Sequence, residues 1–340
     1  MGTVDGVMRL PDGHTDGRPF QCFLSTFGQQ TVPSNRRIPA IPAEVGSTDS
    51  RRFVAADWND RRKIGDDKGV DHPSNAMPPQ GIELTERTST DIAETDALRA
   101  DIGLVCALPL ELSDFLGRCS KIKTYSGGKF TFRGGFYGET RVAVVESGTG
   151  PDRARRATMA LLDAHSPQWI VSAGFCGALV PGMKVGDIVV ANQIATIADD
   201  LVTVDIGMTT DSARGLHVGR TLTVDKIVRQ VSEKQALAEQ SGAIAIDMET
   251  HAIACVCRER KTKFMAVRAV SDDLSTDLPA EVMSLVGDTG AVRIGAVIGA
   301  LWKRPSSYKD MWRLREHAMI ASERLADFLD GIVKQLYASH

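Results

Sequence analysis

The chain has 340 residues, 43% of them apolar and 24% charged, and a formal net charge of −3. That composition fits a soluble globular protein with one substantial core or two smaller ones, and the scattered lysines and arginines offer nucleic acid no basic footprint. No apolar run is long enough to span a bilayer, and Met1-Gly2-Thr3-Val4-Asp5-Gly6 lacks the basic-then-apolar pattern of a secretory signal. The expectation is a cytoplasmic protein with no integral membrane segment.

Eight of the 14 prolines fall in residues 1–98, among repeated Asp-Gly, Asn-Asp and Arg-Arg pairs and without sustained periodicity. This stretch reads as a disordered or extraneous N-terminal segment. From residue 99 the texture changes to that of an α/β protein, running to about residue 338. Ile102-Gly103-Leu104-Val105-Cys106-Ala107-Leu108 is a buried strand candidate. Phe130 to Phe136 and Arg141 to Glu146 read as a β-pair turning at Gly138, and Gly148-Thr149-Gly150-Pro151 stops the second strand. A helix over 152–164 follows, with Pro151 near its first turn, where a missing N–H costs nothing.

Trp169 to Ala173 is the next predicted strand, ending in the loop Gly174-Phe175-Cys176-Gly177-Ala178. Gly186-Asp187 turns into the strand Ile188 to Ala191. Helices at about 225–240 and 248–260 enclose a strand over 264–270, and helices at about 289–302 and 310–337 finish the domain. Alternating strands and helices predict a single three-layer α/β domain with a mixed, mostly parallel central sheet flanked by helices. The six cysteines, at 22, 106, 119, 176, 255 and 257, are irregularly spaced and fit reduced thiols. Cys255 and Cys257 lie two apart in a helical pattern and do not face each other, so no metal site is expected.

Two acidic pieces carry the chemistry. Ala245-Ile246-Asp247-Met248-Glu249 and Arg268-Ala269-Val270-Ser271-Asp272 each end an apolar run in a carboxylate, and the second follows a strand, where open α/β sheets place their ligands. Taken alone, Asp247 and Glu249 also read as acids in a helix's first turn and Asp272 as a helix N-cap. These pieces, with Ile102 to Glu111, Gly174-Phe175-Cys176-Gly177-Ala178-Leu179, Val185-Gly186-Asp187-Ile188-Val189-Val190 and Asp247-Met248-Glu249-Thr250-His251-Ala252, occur in one order. In that order the chain resembles the purine nucleoside phosphorylase and uridine phosphorylase superfamily, most closely its methylthioadenosine/S-adenosylhomocysteine nucleosidase branch.

Breaking an N-glycosidic bond to a purine develops positive charge on the ribose and negative charge on the base, so the base must be protonated to leave. The resemblance gives that proton transfer, to N7, to Asp272. It makes Glu111 the base that activates water, assigns Glu249 to the ribose hydroxyls and packs Met248 under the sugar. Gly174, Phe175, Cys176 and Gly177 would line the substrate, with backbone N–H groups available to an anion or a water.

Two departures stand out: Pro109 and Leu110 precede Glu111 where the nucleosidases usually carry acids, and Phe175 stands where they commonly have serine. The resemblance implies hydrolysis of a 5′-substituted adenosine, a purine nucleoside as the small-molecule partner, no cofactor, and a homo-oligomer, with a dimer favoured. Phosphorolysis is the alternative. It would need inorganic phosphate as co-substrate, with Arg153 in Arg153-Ala154-Arg155-Arg156 the candidate to hold it, although the usual phosphorylase loop of Gly-Asp-Pro and arginine is missing. Asp277-Leu278-Pro279 and the stretch from Gly287 to Pro305 resemble hopanoid-associated nucleoside phosphorylases, whose substrate carries a bulky lipid at the 5′ carbon. A catalytically silent nucleoside-binding protein is the third reading; three separated acids argue against it.

Overall fold

The computed structural model describes residues 6–8, 99–280, 282 and 307–338. These belong to one compact unit, residues 1–30 with 90–340; the other unit, 31–89, lies outside the described residues. So does the helix expected at 289–302, with most of the tail around it.

The strands are β1 (Gly6–Met8), β2 (Ile102–Cys106), β3 (Ser120–Gly127), β4 (Phe130–Tyr137), β5 (Thr140–Glu146), β6 (Trp169–Ala178), β7 (Ile188–Thr196), β8 (Leu201–Val204), β9 (Leu216–Thr223), β10 (Ala245–Asp247) and β11 (Lys263–Asp272). The helices are α1 (Ser113–Gly117), α2 (Pro151–His165), α3 (Val231–Ser241), α4 (Thr250–Arg260) and α5 (Ser307–Ala338). Among the described residues no helix is long and apolar enough to cross a membrane. Within the segment read as disordered, Gly6–Met8 is described and pairs in parallel with β8, which corrects that reading for these three residues.

The sheet runs β1-β8-β7-β9-β10-β6-β2-β5-β4-β3, with β11 joining β6 in parallel and β7 antiparallel. Because β7 pairs with β9, β9 with β10, and β10 with β6, the sheet closes into a ring through β6, β11, β7, β9 and β10. Parallel and antiparallel pairings are mixed, as expected.

Side-chain alternation explains the three layers. On β2, Ile102, Leu104 and Cys106 face one core and Val105 the other; on β11, Met265, Val267 and Ala269 alternate with Phe264 and Ala266 in the same way. The first core is closed by Ala321, Leu325, Phe328, Leu329, Ile332 and Val333 of α5. The second is closed by Ala154, Ala157 and Leu161 of α2 and by Ile253, Ala254 and Cys257 of α4. Each large apolar side chain so buried contributes about 1.5–3 kcal/mol. Gly103 has no side chain to spare: a Cβ there would meet Ile170, Pro167 and Leu161 at 2.8–3.0 Å.

Two boundaries differ from expectation. The glycine loop is not a loop: Gly174 to Ala178 continue β6, because β11 pairs alongside Gly174 to Gly177 and β10 alongside Gly177 and Ala178. The helix expected from about 225 begins at Val231. The helix at Pro151–His165 and the β4–β5 hairpin, with Gly138 at a φ of 60°, form as the sequence indicates.

Candidate active site

Glu111 lies in the 3-10 turn Pro109–Leu112 directly after β2, and its side chain turns back to accept hydrogen bonds from the N–H groups of Ala107 (2.7 Å) and Leu108 (2.8 Å) on Oε2. Its Oε1 accepts from the N–H of Phe175 at 3.0 Å. Pro109, the apparent departure, fits at the first position of the turn, where no N–H is required. Burial raises the Glu111 carboxyl above its ordinary value, against the lowering effect of these donors and of Arg268. A buried carboxylate with a raised pKa is a better proton acceptor than an exposed one.

Asp272 ends β11 opposite Gly177, and Ser271 donates to its Oδ1 at 2.9 Å. The two glycines of Gly174-Phe175-Cys176-Gly177 therefore have a shared explanation. A Cβ on Gly174 would stand 2.8 Å from Glu111 Oε1, and one on Gly177 would stand 2.9 Å from Asp272 Oδ2. Glycine at each position lets a carboxyl approach the end of β6, so the resemblance's base and acid are set by one short stretch of strand. Phe175 contributes its N–H to Glu111 while its ring packs against the core. Cys176 is buried, and burial pushes its thiol up.

Asp247 and Glu249, alike in helix-start spacing, have separate hydrogen-bond partners. Asp247 accepts from the N–H groups of Glu249 and Thr250 (both 3.2 Å), from the hydroxyls of Thr223 (2.8 Å) and Thr250, and from Arg268 Nε at 3.0 Å. It caps α4 and anchors a buried arginine that also donates to Ser172 and Thr250. Glu249 faces the other way and accepts from the N–H of Gly150 at 2.7 Å. Met248 between them is half-buried. Arg268 is the functional neighbour to which the sequence motif alone assigns no role: its charge acts on Glu111, Glu249 and Asp247 together.

Burial, and then the nearby Asp247, push the Glu249 carboxyl from its ordinary 4.5 up to about 8. The folded state thus holds a proton that the unfolded chain gives up at lower pH. The associated stability is complete below the unfolded value and is lost as pH rises through about 8. Thermal denaturation should show melting temperature falling between about pH 5 and pH 8, and Glu249→Gln should flatten that fall. Parallel curves for the two proteins would show that Glu249 does not hold this proton.

The arginines near Gly148 are dispersed. Arg153 donates through Nε to the carbonyl of Ser147 at 2.8 Å, Arg155 pairs with Glu259 at the surface, and Arg156 is exposed. Val185-Gly186-Asp187 is architectural: Gly186 has a φ of 89° against α5, and Asp187 holds the Lys184 N–H and His217. The five described cysteines are free thiols. Among the described residues one donor group could hold a metal, Asp200 with His251 and Cys255 within 4.8 Å of one another; Arg258 lies 3.7 Å from the Cys255 sulfur, so a cation there would meet a guanidinium.

One further group does not show itself in the sequence. Lys234 on α3 has no exposed surface, and its Nζ donates to Asp272 Oδ2 and to the carbonyl of Asp273 at 3.3 Å. Lysine on a helix reads as solvated. The available signal is spacing, since Leu237 and Ala238 follow at three and four residues and put Lys234 on the inward face.

The family model described as the phosphorylase superfamily matches residues 101–214 and 202–301, more than half of the chain. The chain belongs to the phosphorylase superfamily. Among curated members it is 24% identical over 214 residues to the 5′-methylthioadenosine/S-adenosylhomocysteine nucleosidase of Shewanella loihica, covering 56% of this chain and 93% of that one. It is 25% identical over 196 residues to the nucleosidase of the same name from Bacillus subtilis, covering 50% and 85%. The nucleosidase of Neisseria meningitidis, solved with methylthio-immucillin-A, superposes with a TM-score of 0.51 at 21% identity, covering 68% of this chain and 98% of that one. The futalosine hydrolase of Helicobacter pylori superposes with a TM-score of 0.52 at 17% identity, covering 72% and 100%. Proteins named for different activities thus share this fold, and the side chains must decide the chemistry.

Proposed function

We propose that residues 99–338 form a catalytic domain that hydrolyses the N-glycosidic bond of a 5′-substituted adenosine, of the methylthioadenosine or S-adenosylhomocysteine type, and releases adenine. The observation that carries this reading is the placement of Glu111 and Asp272 against Gly174 and Gly177 of one strand, with Glu249 in the same electrostatic neighbourhood as Glu111.

In this reading Asp272 protonates the departing base, and the growing positive charge on the ribose is met by Glu249, which loses its proton to solvent as substrate binds and then accepts hydrogen bonds from the ribose hydroxyls. Glu111 takes a proton from the attacking water. Its three backbone donors fix the carboxylate without an entropic cost at the moment of reaction. Every step uses water and this chain's own side chains, so no cofactor is required.

Phosphorolysis is less well supported. The Gly150 N–H at the start of α2, where an anion would bind, is directed to Glu249, and the Arg153 Nε is engaged by Ser147.

Incubation with 5′-methylthioadenosine, S-adenosylhomocysteine and adenosine, followed by chromatography for free adenine, tests the substrate class. Release from the two 5′-substituted nucleosides in preference to adenosine is the expected result. Binding of all three without release would instead favour a silent nucleoside-binding protein.

A further inference from the structure

We propose that Lys234 is a positioning and proton-supplying residue that acts through Asp272, holding its carboxyl in place and replacing the proton that the carboxyl gives to the leaving base. This rests on the nucleosidase reading above.

A fully buried lysine is rare unless it is paired, because desolvating an ammonium costs several kcal/mol. Here the hydrogen-bonding partners are one carboxylate oxygen and one carbonyl, Asp272 Oδ2 and the oxygen of Asp273. The pairing is held from both sides. The start of α3 is tied to the segment after Asp272 by Arg229, which donates to the carbonyls of Leu278 (2.9 Å) and Pro279 (3.1 Å), and by the Val231 N–H, which donates to Asp277 Oδ1 at 2.8 Å. Leu278 N–H returns a bond to the Arg229 carbonyl at 3.0 Å. Gly177 adds to the fit, since a Cβ there would meet both Asp272 Oδ2 and, at 3.5 Å, Lys234 Cε. Such bracing is unnecessary for a surface ion pair and suits a pair whose geometry matters.

Protonating N7 of the base requires a proton at the end of β11. In the pair, the ammonium supplies it. One N–H bond of Lys234 breaks as an O–H bond forms on Asp272, and that O–H bond breaks as an N–H bond forms at N7 of the purine. The electron pair of the glycosidic bond goes to the base, the ribosyl cation is captured by water, and water's proton goes to Glu111. Glu111 then loses its proton to solvent, and the Lys234 amine regains one from solvent after the products leave. Lysine suits this task and arginine does not, because a guanidinium keeps its proton in proteins.

The charged and titratable groups facing the pair are Asp273 beside it, whose carboxyl is held by Ser275, the buried Cys176 thiol of β6, and Arg313 and His317 of α5, which line a cavity of about 150 Å³ together with Asp272 and Asp273. Against the raising effect of burial, the Ser275 hydrogen bonds and then the charges of His317 and Arg313 hold the Asp273 carboxyl below its ordinary value.

The test is kcat as a function of pH for the full chain and for Lys234→Met, Lys234→Gln and Lys234→Arg, on 5′-methylthioadenosine and on 4-nitrophenyl riboside, whose leaving group departs without a proton. Each variant should lose roughly 100-fold or more in kcat on the nucleoside at neutral pH with little change in KM, and its pH profile should differ from that of the unaltered protein. Turnover of the nitrophenyl riboside should hold within a few-fold. Equal losses on both substrates, an unshifted pH profile, or an active Lys234→Arg enzyme would overturn the proposal. Should the substituted proteins fail to fold, nucleoside turnover retained by Asp272→Asn would overturn it as well, since Lys234 acts only through that carboxyl. No release of adenine by the unaltered protein would instead overturn the nucleosidase reading, and this proposal with it.

Discussion

Asp272→Asn is expected to lower kcat on a purine nucleoside by roughly 10²–10⁴-fold while KM stays within a few-fold. The carboxamide can still accept the hydrogen bond from Lys234 and occupy the space that Gly177 leaves, so substrate should bind much as before. It cannot donate a proton as a carboxylic acid does. The variant also leaves a buried ammonium without its counter-charge, a change that typically costs up to about 3–5 kcal/mol, so its melting temperature should fall. A riboside with a good leaving group separates the two effects: its turnover should be nearly normal in the folded variant. Equal loss on both substrates, measured below the variant's melting temperature, would give Asp272 a purely structural role.

Glu111→Gln should abolish measurable hydrolysis, with a loss of about 10²-fold at least. Its structural cost can be anticipated from the hydrogen bonds. Oε1 and Oε2 both accept backbone N–H groups, so in either orientation the amide NH₂ of glutamine faces a donor. The orientation with the NH₂ toward Phe175 leaves one N–H unsatisfied and the other leaves two, at a cost of about 1–3 kcal/mol each. Loss of activity together with a modest fall in the urea midpoint is the expected pattern. Full activity in Glu111→Gln would remove Glu111 from the reaction.

Much of this site is legible in the amino-acid sequence. The order of apolar runs marks the strands that face both cores; Glu111 and Glu249 follow β2 and β10, and Asp272 ends β11. What spacing alone does not separate is Asp247 from Glu249, although the resemblance names only Glu249. Their spacing is that of any first helical turn, and only the three-dimensional arrangement shows that Arg268 takes one and leaves the other to the site. The glycine run reads as a loop because glycine is the ordinary mark of a turn. Here it marks close approach of two carboxyls to a strand that has partners on both edges.

Several strands are hidden in the sequence for a related reason. β9, Leu216-His217-Val218-Gly219-Arg220-Thr221-Leu222-Thr223, carries a glycine and polar groups that blur its period, and Gly219 is required because a Cβ would stand 2.7 Å from Ile244. β3 is exposed along nearly its whole length, with two lysines, as befits an edge strand kept from pairing with other chains. Lys234 stays hidden because charge is the usual sign of a solvated helix face, and its burial depends on a carboxylate 38 positions away.

The most direct test of water as the nucleophile is the identity of the sugar product. Adenine release from 5′-methylthioadenosine should proceed at the same rate in phosphate-free and phosphate-containing buffer and yield free 5-methylthioribose. Strict dependence on phosphate, with 5-methylthioribose 1-phosphate as the product, would contradict the account and make the protein a phosphorylase.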